Sequence, residues 1–250
     1  MNLRPRIVLL VINCVAFWGF PAFALHSGLT DANGDTVFSQ EFILDYESAN
    51  KSVDTSKSVE PFLKLLKKYK KPEEVAELEL SIGLIYNQRT GLVDPAKAVI
   101  HLSNALNYRL PEKTYIQILM WRGGSLEQLK KYDEALKDYL RGLLACSYHD
   151  LSEGWPEIKP TKIPIRTDEG TSKEDIQRAR DYRMYRKRID FQRFLLMQRY
   201  FLIEATKRIL SQLAINDEQL LKILEKISPD TTRYTLLVDL IKQDNKRPWP

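Results

Sequence analysis

Apolar positions along this chain recur with a helical period over most of its length. Across residues 59–69, Phe62, Leu63, Leu65, Leu66 and Tyr69 form one face against Lys64, Lys67, Lys68, Lys70 and Lys71, which predicts an amphipathic helix. Residues 41–49 predict another. Pro72, Glu73 and Glu74 place a proline and two acids where the first turn of the next helix belongs. Towards the C-terminus, Ile189, Leu196, Ile203 and Leu210 recur every seven residues, flanked by Phe191, Phe194, Leu195, Phe201, Leu202 and Ile209. A helix apolar over so much of its circumference is expected to be buried between layers. It is predicted to start near Ser172, with Asp175 completing a capping box, and to run to about residue 213. Two further helices follow at 217–227 and 231–243. Residues 155–166 (WPEIKPTKIPIR) carry too many prolines to be helical throughout and read as an extended strap or linker. The predicted class is all-α.

Residues 122–142 (RGGSLEQLKKYDEALKDYLRG) add a more specific pattern. Small Gly123 and Ala135 stand where two antiparallel helices would approach closely, with Tyr132 at the turn and Tyr139 one helical turn beyond Ala135. An earlier pair of segments, 80–91 (LSIGLIYNQRTG) and 94–108 (DPAKAVIHLSNALNY), repeats the plan: Gly83, then Tyr86, then a turn at Gly91, then Ala98 and Ala105. Together residues 76–148 resemble two tetratricopeptide repeats (TPR). The separation of Ala98 and Ala135, 135 − 98 = 37 residues, compares with a family period of about 34. The excess falls around 110–114. Lys130 occupies a turn position where glycine is usual, and the first hairpin's turn is longer than the family pattern.

The resemblance implies a short α-solenoid of TPR-like helical hairpins followed by a C-terminal helical bundle. The helix at 59–69 would cap the first hairpin. Hairpins of this kind bury their apolar faces only by stacking on neighbours, and they serve as interaction scaffolds. It also implies that the first helix of each hairpin lines a concave surface. Those positions are Glu77, Leu80, Leu84, Asn87 and Gln88 in the first repeat, and Gln117, Met120, Gly124, Glu127 and Gln128 in the second. Leu80, Leu84 and Met120 suit an apolar helix or an extended segment. The alternative is that these side chains cover the neighbouring helix. The Lys/Arg and Asn clamp with which some members grip a terminal carboxylate is missing.

The N-terminus reads as an export signal: Arg4 and Arg6, an apolar stretch over 7–20, and small residues at Ala22 and Ala24 ahead of a cleavage point. An uncleaved membrane anchor is the alternative. The formal charge of +5 loses two positives with Arg4 and Arg6, leaving +3. That is too mild for a dedicated nucleic-acid protein. The mature chain keeps a single cysteine, Cys146, expected to be a buried structural thiol. At 44% apolar residues, about 225 residues supply a core without disulfide staples.

The organisation expected is a signal peptide at 1–24, a turn or extended segment with a short helix at 25–58, and TPR-like repeats with their capping helix at 59–148. A Pro-rich linker or strap follows at 149–171, then a helical region at 172–243 and a flexible tail at 244–250.

Catalytic motifs are sparse. Asp31, Asn33 and Asp35 imitate the start of a calcium loop, but Thr36 stands where glycine is required and Phe42 where the bidentate glutamate belongs. His26, His101 and His149 belong to no set of histidines and cysteines large enough to ligate a metal. No enzyme, cofactor or metal is expected. A second candidate surface is basic: Arg178, Arg180, Arg183, Arg186, Lys187, Arg188 and Arg193, interleaved with Tyr182 and Tyr185. Arginine with tyrosine can grip phosphate or carboxylate. Asp181 and Asp190 dilute the run, and Asp190 is placed to pair with Arg186 one turn earlier. Two functions remain. The first is an exported, non-catalytic TPR-type scaffold that binds a protein or peptide in the periplasm or another cell-envelope space. The second is a factor that attaches to anionic lipid or envelope polymer through the Arg-rich helix. No nucleic-acid partner is expected.

Overall fold

The computed structural model describes residues 37–56, 58–88, 91–149, 156 and 173–243. Among them the protein is all-helical, with nine α-helices, one short 3-10 turn and no strand. The expected export signal, the calcium-like turn at 31–36, Ser172 of the expected capping box, most of the Pro-rich segment and the tail lie outside the described residues. No described helix is long and apolar enough to cross a membrane. The chain divides into two compact units, residues 1–138 and 139–250.

The first unit contains α1 (Gln40–Ser56), α2 (Glu60–Lys68), α3 (Pro72–Gln88), α4 (Pro95–Ala105), α5 (Glu112–Gln128) and the start of α6 (Tyr132–Ser147). Helix α1 is longer than the expected 41–49. Phe42, Tyr46, Ala49 and Val53 continue one buried stripe at helical spacing, so packing carries the helix past Ala49. This stripe joins Phe62 of α2 and Leu78, Ile82 and Ile85 of α3 in one core cluster. Tyr46 meets the Phe62 ring edge-on at 5.3 Å, and its hydroxyl lies 2.8 Å from the Ser81 hydroxyl. Aromatic rings can therefore fill this interior without stranding a polar tip.

Helix α3 packs on both α4 and α5. Gly83 lies in its C-terminal half. A Cβ there would lie 2.8 Å from Leu102 Cγ and 3.1 Å from the Leu102 backbone nitrogen, so the absent side chain sets how closely α3 and α4 approach. The turn between them uses Gly91 at φ +85°, a conformation that costs glycine least. Asp94 then caps α4, its carboxylate accepting from the Lys97 N–H at 3.1 Å, with Pro95 in the first turn. At the turn after α5, Lys130 adopts φ +59° and the Lys131 N–H bonds back to the Leu126 carbonyl at 2.9 Å. The position where glycine was expected does have left-handed backbone, with lysine in it.

The second unit comprises the remainder of α6, then α7 (Lys173–Leu213), α8 (Asp217–Ile227) and α9 (Tyr234–Lys242), which follows the 3-10 turn Thr231–Arg233. Of the predicted heptad, Ile189, Leu196 and Ile203 are buried and Leu210 is half-buried. Helix α7 packs on α9, whose Leu237 and Ile241 are buried. It also approaches α6, where Leu202 lies against Gly142. It ends at Ala214, φ +52°, with the Ile215 N–H bonded to the Leu210 carbonyl. Asn216 and Gln219 form a capping box for α8. The last helix was expected from residue 231, and its first turn is instead the 3-10 turn.

Candidate functional site

The residues assigned to a concave surface are mostly turned into the first unit. Glu77 and Leu80 are fully buried, Leu84 and Gln117 nearly so. Leu80 and Leu84 share a core cluster with Leu102, Ala105, Ile118 and Trp121, against which half-buried Met120 packs. Asn87 reaches across to α5, its amide donating to the Trp121 carbonyl at 3.1 Å and the Ser125 hydroxyl at 2.7 Å. Glu127 and Gly124 are half-buried, while Gln88 and Gln128 are exposed. These positions thus come together, but largely as helix–helix packing. Of these positions, Gln88 and Gln128 alone are exposed.

Two polar networks in the first unit were not read from sequence. Glu79, buried on α3, holds the Nδ1 of His101 at 2.6 Å and accepts from the Asn104 amide at 3.2 Å, while the His101 ring stacks on Tyr86. On α5, Arg122 forms a fork with Asp138 at 2.7 and 2.6 Å and donates to the Ser103 hydroxyl at 3.0 Å. Their members stand 16 to 25 residues apart, so no local motif signals them. The Glu79–His101 pair could orient an imidazole for proton transfer. Among the described residues no group of three or more His, Cys, Asp or Glu side chains converges to hold a metal.

A third network is on the surface. Lys68 bridges Glu41 and Asp45 at 2.7 and 2.6 Å, and the Tyr69 hydroxyl donates to Asp45 at 2.8 Å. The bonds from Lys68 and then Tyr69 hold the Asp45 carboxyl below the usual carboxylate range, and the same carboxylates raise the Lys68 ammonium. In the second unit Cys146 is buried, in keeping with a structural thiol. His149 packs edge-on against the Phe191 ring at 5.3 Å.

The basic surface is the first half of α7. Across residues 177–190 all side chains are exposed except half-buried Ala179, Tyr182 and Arg186 and buried Ile189. Arg180, Arg183, Lys187 and Arg188 project into solvent beside Met184 and Tyr185. The expected Arg186–Asp190 pair does not form. Among the described residues, no ion pair engages Arg180, Arg183, Arg186, Lys187 or Arg188. Arg178 is exposed. Arg193, nearer the packed half, donates to the Pro156 carbonyl at 2.8 Å. Asp181 accepts from the Gln177 amide at 2.8 Å. Cations left without carboxylate partners keep their full electrostatic reach and their hydrogen-bond donors, so the segment can attract and hold oxyanions. No protein-family model, curated protein or solved structure matches the chain.

Proposed function

We propose that this protein is a non-catalytic interaction protein of the cell envelope that attaches to an anionic ligand through the first half of α7. The observation carrying the reading is the set of five cations there with no ion-pair partner among the described residues, four of them exposed. A stabilising surface helix usually intersperses opposite charges at i,i+4, and the one such pair predicted here is not made. Export by the N-terminal segment is part of this proposal.

The test compares two variants of equal charge change. R180Q/R183Q/K187Q removes three cations from α7, and K64Q/K67Q/K71Q removes three exposed lysines of the first unit. Retention on phosphatidylglycerol vesicles and on immobilised polyphosphate is measured at rising salt. Loss of retention confined to the α7 variant supports the reading. Equal loss in both means that net charge alone is responsible, and the reading fails.

A second reading keeps the TPR-type scaffold that binds a protein partner. The close approach at Gly83 and the left-handed turn residues Gly91 and Lys130 favour repeat-like hairpins. Salt-tolerant capture of one stoichiometric envelope protein, weakened by Met120→Glu, would support it. Leu84 is the poorer probe, because a charge in that core would test folding rather than binding.

A further inference from the structure

We infer, on the reading that α7 binds an anionic ligand, that this ligand is a flexible phosphate-bearing polymer chain that curls around the helix rather than a flat lipid surface. The first reason is angular. At about 100° per residue, the five unpaired cations run from Arg186 through Arg183, Lys187 and Arg180 to Arg188 over roughly 200° of the circumference. A plane touches one side of a helix and would leave a flank of these charges in water. A chain that follows the curved surface reaches all of them. The stretch from Arg180 to Arg188 rises about 12 Å along the axis, so the positive strip is wider around the helix than a single contact line.

The second reason is what the segment lacks. A helix that lies in a membrane interface buries an apolar face opposite its cations. The large hydrophobic side chains exposed between residues 177 and 190 are Met184 and Tyr185. Met184 stands one turn from both Arg180 and Arg188, inside the cationic face. Immersing it would carry guanidinium groups out of water, at a cost that a single methionine does not offset.

The third reason is residue type. Four of the five cations are arginine, whose planar fork binds two oxygens of one phosphate at fixed geometry, whereas lysine offers a point charge. Asp190 lies on the Arg183–Arg186 flank and weakens it, so the Arg180–Arg188 flank carries the stronger contacts.

The test uses protein purified from cells expressing the full chain and fluorescently labelled inorganic polyphosphate, followed by anisotropy from about 0.1 M to about 1 M salt, a range in which counterion release dominates. Two flank variants are compared, R183Q/R186Q and R180Q/R188Q. Each lost phosphate contact removes about 0.7 from the log–log salt slope, or roughly fivefold in affinity over that decade. Both variants are therefore expected to lose affinity, by up to roughly 25-fold for two full contacts. Phosphatidylglycerol vesicles and duplex DNA are run in parallel. Binding to vesicles but not to polyphosphate, or sensitivity of one flank only, overturns the wrapped-polymer inference and leaves the anionic-ligand reading standing. Tighter binding to duplex DNA than to polyphosphate overturns it in favour of a grooved nucleic acid. Binding to none of the three overturns both the inference and the reading beneath it.

Discussion

Replacing Gly83 and Gly142 each by alanine should give very different results, although both glycines lie in helix interiors at close helix contacts. At Gly83 the new methyl would sit 2.8 Å from Leu102 Cγ and Cδ2 and 3.1 Å from the Leu102 backbone nitrogen. Ordinary carbon contacts begin near 3.5 Å, so the overlap is several tenths of an ångström. Leu102 is itself fully buried among Leu80, Leu84, Ala105, Ile118 and Trp121, which leaves its side chain nowhere to swing. The nitrogen can retreat only if α4 moves away from α3. Overpacking of this kind costs about 1–3 kcal/mol, and backbone involvement points to the upper end. Alanine returns about 1 kcal/mol through its helix propensity. The net expectation for Gly83→Ala is a loss of about 2 kcal/mol.

At Gly142 the three nearest atoms to the methyl would be Leu202 Cδ1 at 2.9 Å, Cδ2 at 3.2 Å and Cγ at 3.7 Å; Leu202 is fully buried too, but these contacts are all side chain, so no backbone has to retreat. An off-rotamer adjustment costs about 0.5–1.5 kcal/mol, so the propensity gain leaves Gly142→Ala close to neutral. Urea denaturation followed by circular dichroism at 222 nm measures both. A double-mutant cycle sharpens the test, because Leu102→Ala should cost less when combined with Gly83→Ala, where the added methyl fills part of the vacated space. Gly83→Ala as stable as the parent, or Gly142→Ala the more damaging of the two, would refute the packing argument.

Three further expectations concern stability. Ala214, at φ +52°, and Lys130, at φ +59°, hold left-handed backbone without glycine, so Ala214→Gly and Lys130→Gly should each stabilise by about 0.5–1 kcal/mol in the same denaturation assay, and destabilisation by either would contradict the strain argument. Asp138→Ala leaves the Arg122 guanidinium without its buried carboxylate and should cost about 3–5 kcal/mol; a loss under about 1 kcal/mol would mean the fork contributes little. The Asp45–Lys68 contact should give a pH-dependent term. Because the folded-state Asp45 value is depressed, its contribution is present above the unfolded carboxylate value of about 3.9 and is lost as pH falls through the lower folded value. Because Lys68 is raised, its share is present below the unfolded lysine value of about 10.4 and is lost as pH rises through the higher folded value. Asp45→Asn should flatten the acid limb of stability against pH; an unchanged limb would show that solvent and salt already screen this exposed network.

What the sequence by itself determined is the set of helices and several of their ends. Pro72 with Glu73 and Glu74, Asp94 with Pro95, and the turn at Gly91 act through bonds and dihedrals within a few residues, so they are legible one segment at a time. The heptad from Ile189 and the small residue at Gly83 are legible for the same reason, since helical periodicity alone marks the face to be covered. What covers each face was decided only in three dimensions. Leu80, Leu84 and Glu77 look equally suited to a groove or an interior, and the crossing of α3 with α4 and α5 turns them inward. Glu79 with His101 depends on the same α3–α4 crossing, and Arg122 with Asp138 on the approach of α6 to α5. On α7, spacing predicted a bond between Arg186 and Asp190, but the side chains do not meet. The helix period sets which residues are neighbours along one surface, whereas helix packing decides whether that surface is spent on a core or left to water. That difference is why the arginines of α7 could be counted from the sequence, while the exposure of Arg180, Arg183 and Arg188, and their lack of an ion pair among the described residues, appeared only in the folded chain.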